Sequence, residues 1–437
     1  MTSSTLVRAG QFTQAVRQGA YIVIALALPR LGLSRAAIGE WESLLFIGYL
    51  LGFSWTSGLL QGFLVRMGEL SEPFDNVFAH RAIAVFTFLS AFVLLLAGVF
   101  HAPFFRLLQL DAPPLGWYFF FVLLLSRWPA YCFEQTLLLT GRVRLLVGFA
   151  VVNALALMLS LLLPLYLGYD MLAAMRILAV YAGVKLLGIG VWSWLTSPNV
   201  TSPDHDRSVR ADVSEWGSVS TPLIAYATVA ALVVAVDPWI VNYWSGGDQA
   251  VFATFRYGVR ELPFMASLIS GMTVVTIPLI ARERGSGLDL LRQQSRKLFH
   301  YVFGLTLLMM LTASWWWTAV FTETFADSLP VFRTYLLVVG CRLVFAMTVL
   351  TALRQTKRLY LWALLELVVN VVLSLSLAPR YGLLGIIWAT VIASYFHEIC
   401  LVLYLRYRTN TPWRTYADLR WYGVYLAILF GVYWWMV

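Results

Sequence analysis

Residues 363–396 read ALLELVVNVVLSLSLAPRYGLLGIIWATVIASYF. Two apolar blocks flank the connector Pro379-Arg380-Tyr381-Gly382, and the only charges in the stretch are Glu366 and Arg380. A helix that crosses a bilayer needs ~20 mostly apolar residues, so each block is long enough to cross. Inside lipid every backbone polar group must be paired within the protein, which leaves helices or closed barrels. Barrel strands would alternate over ~10-residue stretches, and these blocks do not alternate. The stretch therefore predicts a membrane hairpin with helices at 359–379 and 383–405.

The same pattern extends outward in both directions. Of 437 residues, 60% are hydrophobic and 12% charged, and the mean hydropathy is +0.76. A soluble domain carries about 25% charged residues, so too few charges remain here to clothe a water-exposed surface. Further helices are predicted at 9–31, 39–65, 80–100, 115–139, 145–167, 171–195, 217–244, 249–281, 298–321, 329–353 and 420–437. The polar stretch 196–216, TSPNVTSPDHDRSVRADVSEW, divides them. The reading is an all-α integral membrane protein: a six-helix lobe over 1–195, a linker over 196–216, a second six-helix lobe over 217–408, and a further helix within 409–437.

Charge sets the orientation. The net charge is +9, and in a soluble chain that would suggest nucleic acid as a partner. Here the basic residues lie mostly in connectors, so nucleic acid is excluded as a partner. With the N-terminus inside, twenty Lys and Arg fall on the cytoplasmic side and six on the other, as the positive-inside rule requires. The 196–216 linker is then cytoplasmic. The sequon Asn199-Val200-Thr201 falls on that side and is discounted. The run after Arg8 and Arg17 lacks a small-residue cleavage site and reads as the first membrane helix.

The halves share local features. Asn153 and Asn370, and Gly168 and Gly385, are separated by the same 217 positions, while Ser57-Gly58 and Ser270-Gly271 are 213 apart. Two repeats with an even number of helices share one orientation, so their pseudo-two-fold axis is expected along the membrane normal. Parallel repeats of this kind are a transporter architecture, with the substrate held near the midplane.

The quoted stretch, with its Asn-bearing helix, Tyr-Gly-x-x-Gly connector and small-residue-rich helix, resembles the polysaccharide flippases of the multidrug/oligosaccharidyl-lipid/polysaccharide exporter superfamily. LGLSRAAIGEWESLLFIGYLLGF (31–53) resembles that family's first external turn and second helix, and VDPWIVNYWSGGDQAVFATFRYGVRELP (236–263) its seventh and eighth. The layout extends over 1–408, and the last helix departs from a plain twelve-helix plan. The resemblance implies a flippase of the bacterial inner membrane. It would turn an oligosaccharide linked to undecaprenyl pyrophosphate from the inner to the outer leaflet by alternating access, beside polysaccharide-assembly proteins.

Intramembrane charges are the candidate site. Each costs ~2.5–3.5 kcal/mol at a helix centre on insertion scales. Arg127, Lys185, Arg256, Arg260 and Arg342 fall within predicted helices, and Arg256 and Arg260 stand one helical turn apart on one face. A water-filled cavity would solvate them, and a diphosphate suits the forked guanidinium. The plainer reading is internal pairing, Arg127 with Glu134 and Arg260 with Glu261. The acids Glu134, Asp237, Glu261, Glu366 and Glu398 neutralise buried bases in the plain reading; otherwise Asp237, Glu366 and Glu398 couple transport to Na+ or H+. His397 reads as a hydrogen-bonded interior histidine. Pro238, beside Asp237, could bend its helix and open carbonyls to an ion.

No cofactor or metal site is expected. There is no G-x-x-x-x-G-K-[ST] phosphate loop and no H-E-x-x-H spacing, and Cys132, Cys341 and Cys400 lie far apart in apolar stretches. Two alternatives stay open: a membrane polymerase or ligase acting on the same lipid donor, and a drug or cation exporter of the same superfamily. Short outer connectors argue against the enzyme, and five intramembrane bases argue for an anionic substrate.

Overall fold

Ser34 opens the helix that begins at Arg35 by accepting the Ala37 N–H on its hydroxyl at 3.2 Å. Asp170 and Asp248 start later helices in the same way, accepting Ala173 N–H and Ala250 N–H at 2.8 Å each. Such caps satisfy amide donors that a helix start leaves open. The computed structural model describes residues 3–69, 74–110, 112–197, 209–260, 265–353, 355 and 359–436. Among these no strand occurs; the protein is all-α. Eight stretches of described residues are long and apolar enough to cross a membrane, and the protein is a multi-pass membrane protein.

Residues 1–231 form one compact unit. It contains α1 (Ser3–Ala27), α2 (Arg35–Glu69), α3 (Phe74–Val99), α4 (His101–Leu107), α5 (Trp117–Leu139), α6 (Val143–Tyr166), α7 (Met171–Thr196) and the first part of α8 (Val209–Ser245). Helix α1 lies along α6, and α5 packs against α3, α7 and α2. The α2–α5 approach depends on glycine, because a Cβ at Gly52 would stand 2.3 Å from the Trp128 indole nitrogen. Small residues let membrane helices come this close. Phe63, Phe78, Phe86, Phe133 and Trp216 build a buried core, and Trp216 Nε1 donates to the Leu59 carbonyl at 3.0 Å.

Residues 232–437 form the second unit, so the division falls inside α8, whereas the sequence reading separates the lobes at 196–216. Of that linker, 198–208 lie outside the described residues. The unit continues with α9 (Gln249–Gly258), α10 (Met265–Arg282), α11 (Arg284–Phe321), α12 (Ser328–Tyr335), α13 (Val339–Arg342), α14 (Ala346–Ala352), α15 (Leu359–Arg408) and α16 (Leu419–Met436). Helix α15 is the expected hairpin: Gly382, at φ 59° and ψ −138°, separates two helical arms. The expected last helix is present as α16, packed on α11.

Three expectations change. The helix predicted over 249–281 stops at Gly258 and resumes at Met265. Pro263 has no N–H to return to the Val259 carbonyl and disfavours helix at the residue before it. Arg260 is therefore outside the helix and does not share a helical face with Arg256. The helix predicted over 329–353 is broken into α12, a 3-10 turn at 336–338, α13 and α14, and Phe345 is left-handed at φ 58°. Tyrosines brace the break: Tyr395 Oη donates to the Leu337 carbonyl at 3.0 Å and Tyr422 Oη to the Gly340 carbonyl at 3.1 Å. Lastly, Gly168 is a connector glycine at φ 86°, but Gly385 is helical and packs on the Leu377 carbonyl. By backbone conformation the counterpart of Gly168 is Gly382.

Candidate functional site

In the first unit, Arg17 of α1 forms an ion pair with Glu134 of α5. The Arg17 guanidinium also lies 4.6 Å from the Tyr131 ring. Arg127 Nε donates to Tyr131 Oη at 2.7 Å, and its guanidinium stands 5.2 Å from the Tyr21 ring. Lys185 of α7 sits 5.3 Å from the Tyr181 ring, within electrostatic reach of Arg127, Glu134 and Arg17. Tyr181 Oη donates to the Asn153 carbonyl at 3.2 Å and to the Asn153 side chain. Among the described residues, Arg17 and Lys185 thus flank the Glu134 carboxylate, and Arg127 joins them through tyrosines. Ring faces attract cations without neutralising them, so the cluster keeps a positive excess.

Sequence reasoning brings Arg127 and Lys185 forward and misses Arg17. The plainer pairing of Arg127 with Glu134 is corrected: Glu134 takes Arg17, and Arg127 takes tyrosines. The charge count places Arg17 with the cytoplasmic connectors, yet it lies well inside α1. Its position within the predicted 9–31 helix is the signal that could have found it. The tyrosines carry no signal in a chain with 21 of them.

The second unit holds a cavity of about 410 Å³. Asp237 of α8, Tyr335 of α12, Arg342 of α13, Glu366 and Asn370 of the first α15 arm, and Thr390, Ser394, His397 and Glu398 of the second arm line it. Asn370 Nδ2 donates to Asp237 Oδ1 at 2.8 Å, and Thr390 Oγ1 donates to Asp237 Oδ2 at 2.7 Å. Ser374 Oγ fixes the Asn370 amide at 2.9 Å. One residue beyond Asp237, Pro238 offers no N–H to the Val234 carbonyl, and Val234 also lines the cavity. Helix α8 runs on through Pro238 to Ser245. The carboxylate, the Thr390 hydroxyl and the Val234 carbonyl are hard oxygens of the kind that alkali cations take within membranes, while the Asn370 amide oxygen is held by Ser374. Among the described residues no group of three or more His, Cys, Asp or Glu is placed to share a metal ion.

The candidate coupling residues Asp237, Glu366 and Glu398 are therefore brought together, with Arg342 beside them. His397 is paired with Glu366 across 3.1 Å. Arg260 and Arg342 also line a small hollow of about 20 Å³, where the Arg260 guanidinium lies 4.4 Å from the Tyr257 ring. Arg256 sits in the last turn of α9. The expected partner of Arg260, Glu261, lies outside the described residues.

No family model and no curated protein matches the sequence. Solved structures do match in fold. The lipid II flippase MurJ, in an inward closed conformation, has a TM-score of 0.62 at 13% identity, covering 99% of this chain and 92% of that one. An inward-facing multidrug resistance MATE family transporter of the MOP superfamily has a TM-score of 0.62 at 15% identity, covering 89% and 94%. The MATE multidrug transporter DinF-BH has a TM-score of 0.60 at 16% identity, covering 93% and 95%. At these identities the likeness is one of fold: the chain has the all-α architecture shared by the MurJ flippase and the MATE transporters.

Proposed function

We propose that this protein is a membrane transporter that flips a lipid-linked anionic oligosaccharide, carried on a polyprenyl pyrophosphate such as undecaprenyl pyrophosphate, from the inner to the outer leaflet. The observation that carries this reading is the basic cluster of the first unit. Arg17, Arg127 and Lys185 lie together within helices of a membrane protein, and among the described residues Glu134 is the carboxylate that answers them. Unbalanced charge there is costly in lipid and favourable beside an anion. Two guanidiniums and an ammonium offer charge-assisted donors to a diphosphate, and tyrosines offer faces for sugar rings. Arg256, Arg260 and Arg342 of the second unit would add to the anion path. The fold supports the reading, since one of the proteins that share it is named a lipid II flippase. The Asp237 oxygen set would hold the coupling ion. The protein would work in a bacterial inner membrane with a cytoplasmic N-terminus, beside polysaccharide-assembly proteins, and would perform no covalent chemistry.

A second reading, export of a cationic compound, is favoured by the three carboxylates in the second-unit cavity and by the multidrug transporters of the same fold. One assay separates them. In vesicles containing the purified protein, a fluorescent undecaprenyl-pyrophosphate oligosaccharide should cross between leaflets, while a cationic dye should not. Arg127→Ala and Lys185→Ala should each slow crossing by about tenfold or more, the loss of a charge-assisted bond worth ~1.5–3 kcal/mol. Dye movement with no movement of the lipid-linked sugar would reverse the assignment.

A further inference from the structure

The second-unit cavity contains a group of side chains that the Asp237 oxygen set does not use. Glu366 Oε1 accepts the Ser394 hydroxyl at 3.2 Å, and Oε2 lies 3.1 Å from His397 Nδ1. On the far side of the imidazole, His397 Nε2 has no hydrogen-bond partner among the described residues, and neither has Glu398 Oε2. Both residues line the cavity. A hydrogen must lie between Glu366 and His397 Nδ1. With that hydrogen alone, the two remaining orphan atoms are acceptors. Both acceptors line the cavity and can take a proton from the water in it.

Charge points the same way. Glu366 and Glu398 repel each other, and the guanidinium of Arg342 acts on both. Glu366 and Glu398 against Arg342 leave one negative charge, to which Asp237 adds its own, so the field in the cavity favours taking up a proton. The other polar groups facing the pair are Cys341 of α13, Asp237 of α8, Tyr335 of α12, Tyr416 of the α15–α16 connector and Tyr422 of α16; none brings a second positive charge. A nitrogen ligand beside carboxylates suits an alkali cation less well than the Asp237 set does.

We propose that Glu366, His397 and Glu398 form a proton-binding site, distinct from the Asp237 cradle, which takes a proton from the aqueous cavity and gives it up when a cation enters the cradle. The register supplies the coupling. Glu366 precedes Asn370 by one helical turn on the first α15 arm, and Ser394 follows Thr390 by one turn on the second. The two sites are stacked about one turn apart, ~5.4 Å, close enough for a cation at one to oppose a proton at the other. By linkage the opposition is reciprocal. This rests on the transporter reading for its purpose, but its test requires no substrate.

Purified full-length protein in a lightly buffered detergent solution would be given sodium chloride, with choline chloride as control. Bound sodium would be counted with radioactive sodium, and released protons with a pH-indicator dye. Wild type should release a proton for each sodium bound. Glu366→Gln/Glu398→Gln, and separately His397→Asn, should keep sodium binding and lose proton release, with retained binding certifying the fold. Asp237→Asn should lose both. Undiminished proton release in the folded Glu366→Gln/Glu398→Gln and His397→Asn variants would overturn the proposal, as would sodium binding to wild type without release. Failure to flip a lipid-linked sugar would leave these outcomes unchanged, so the two readings fail separately.

Discussion

Arg17 and Glu134 tie α1 to α5, with 30% of the arginine side chain exposed and 5% of the carboxylate. Removing one partner of a buried pair costs ~3–5 kcal/mol, and partial exposure of Arg17 lowers the expectation to about 2–3 kcal/mol. Thermal unfolding in detergent should show Arg17→Ala destabilised by that amount and Arg17→Ala/Glu134→Gln largely restored; equal melting of both variants would exclude the pair as a structural tie. At Asp237 the expectation concerns binding. Asp237→Asn should abolish sodium binding, whereas Thr390→Val should weaken it by roughly fivefold, the share of one hydrogen bond of ~1 kcal/mol, in an equilibrium dialysis experiment. Apart from Arg17, the charged members of both clusters were legible in the sequence because a charge in lipid needs a reason. Their neighbours were not: Thr390 and Ser394 look like ordinary helix residues until α15 folds back at Gly382.

The break between α12 and α14 belongs to the scale of the element. Nothing in the sequence warns of it, since no proline interrupts 331–353 and helix propensity alone would carry the chain through. Tertiary hydrogen bonds brace it instead, with Tyr395 and Tyr422 adding side-chain donors to the Leu337 and Gly340 carbonyls, which also accept backbone amides. The break turns Arg342 toward the cavity. Tyr422→Phe should lower stability by about 1 kcal/mol and also alter sodium affinity, whereas a tyrosine that merely packs would leave affinity unmoved; calorimetry of both quantities distinguishes them. In the hairpin, Gly382 combines φ 59° with ψ −138°, a region that side chains rarely enter. Gly382→Ala should cost ~1–3 kcal/mol, and unchanged melting would show that the turn can relax. The hairpin was readable because its two apolar blocks are separated by a tight polar connector. The early start of α11 at Arg284 was not, because its first turns bury only a stripe, Leu288, Leu291, Ser295 and Phe299, inside a polar sequence.

For the whole molecule, hydropathy conveyed class and layout, since lipid tolerates so few alternatives to the helix. Orientation is a separate expectation. With Cys132, Cys341 and Cys400 replaced, Ser208→Cys in the 196–216 linker should resist an impermeant thiol reagent in intact cells and react after lysis; ready labelling of intact cells would invert the topology. The division into compact units was less legible, because it falls within α8, where no composition change marks it. That division has a consequence for evolution. The basic cluster lies wholly within 1–231 and the ionisable cavity wholly within 232–437. Under the proposed function, cargo preference and energy source are inherited on separate stretches of gene. A lineage that changes its surface sugar can then revise the first stretch while the second, tuned to the ion gradients of the cell, is passed on unaltered.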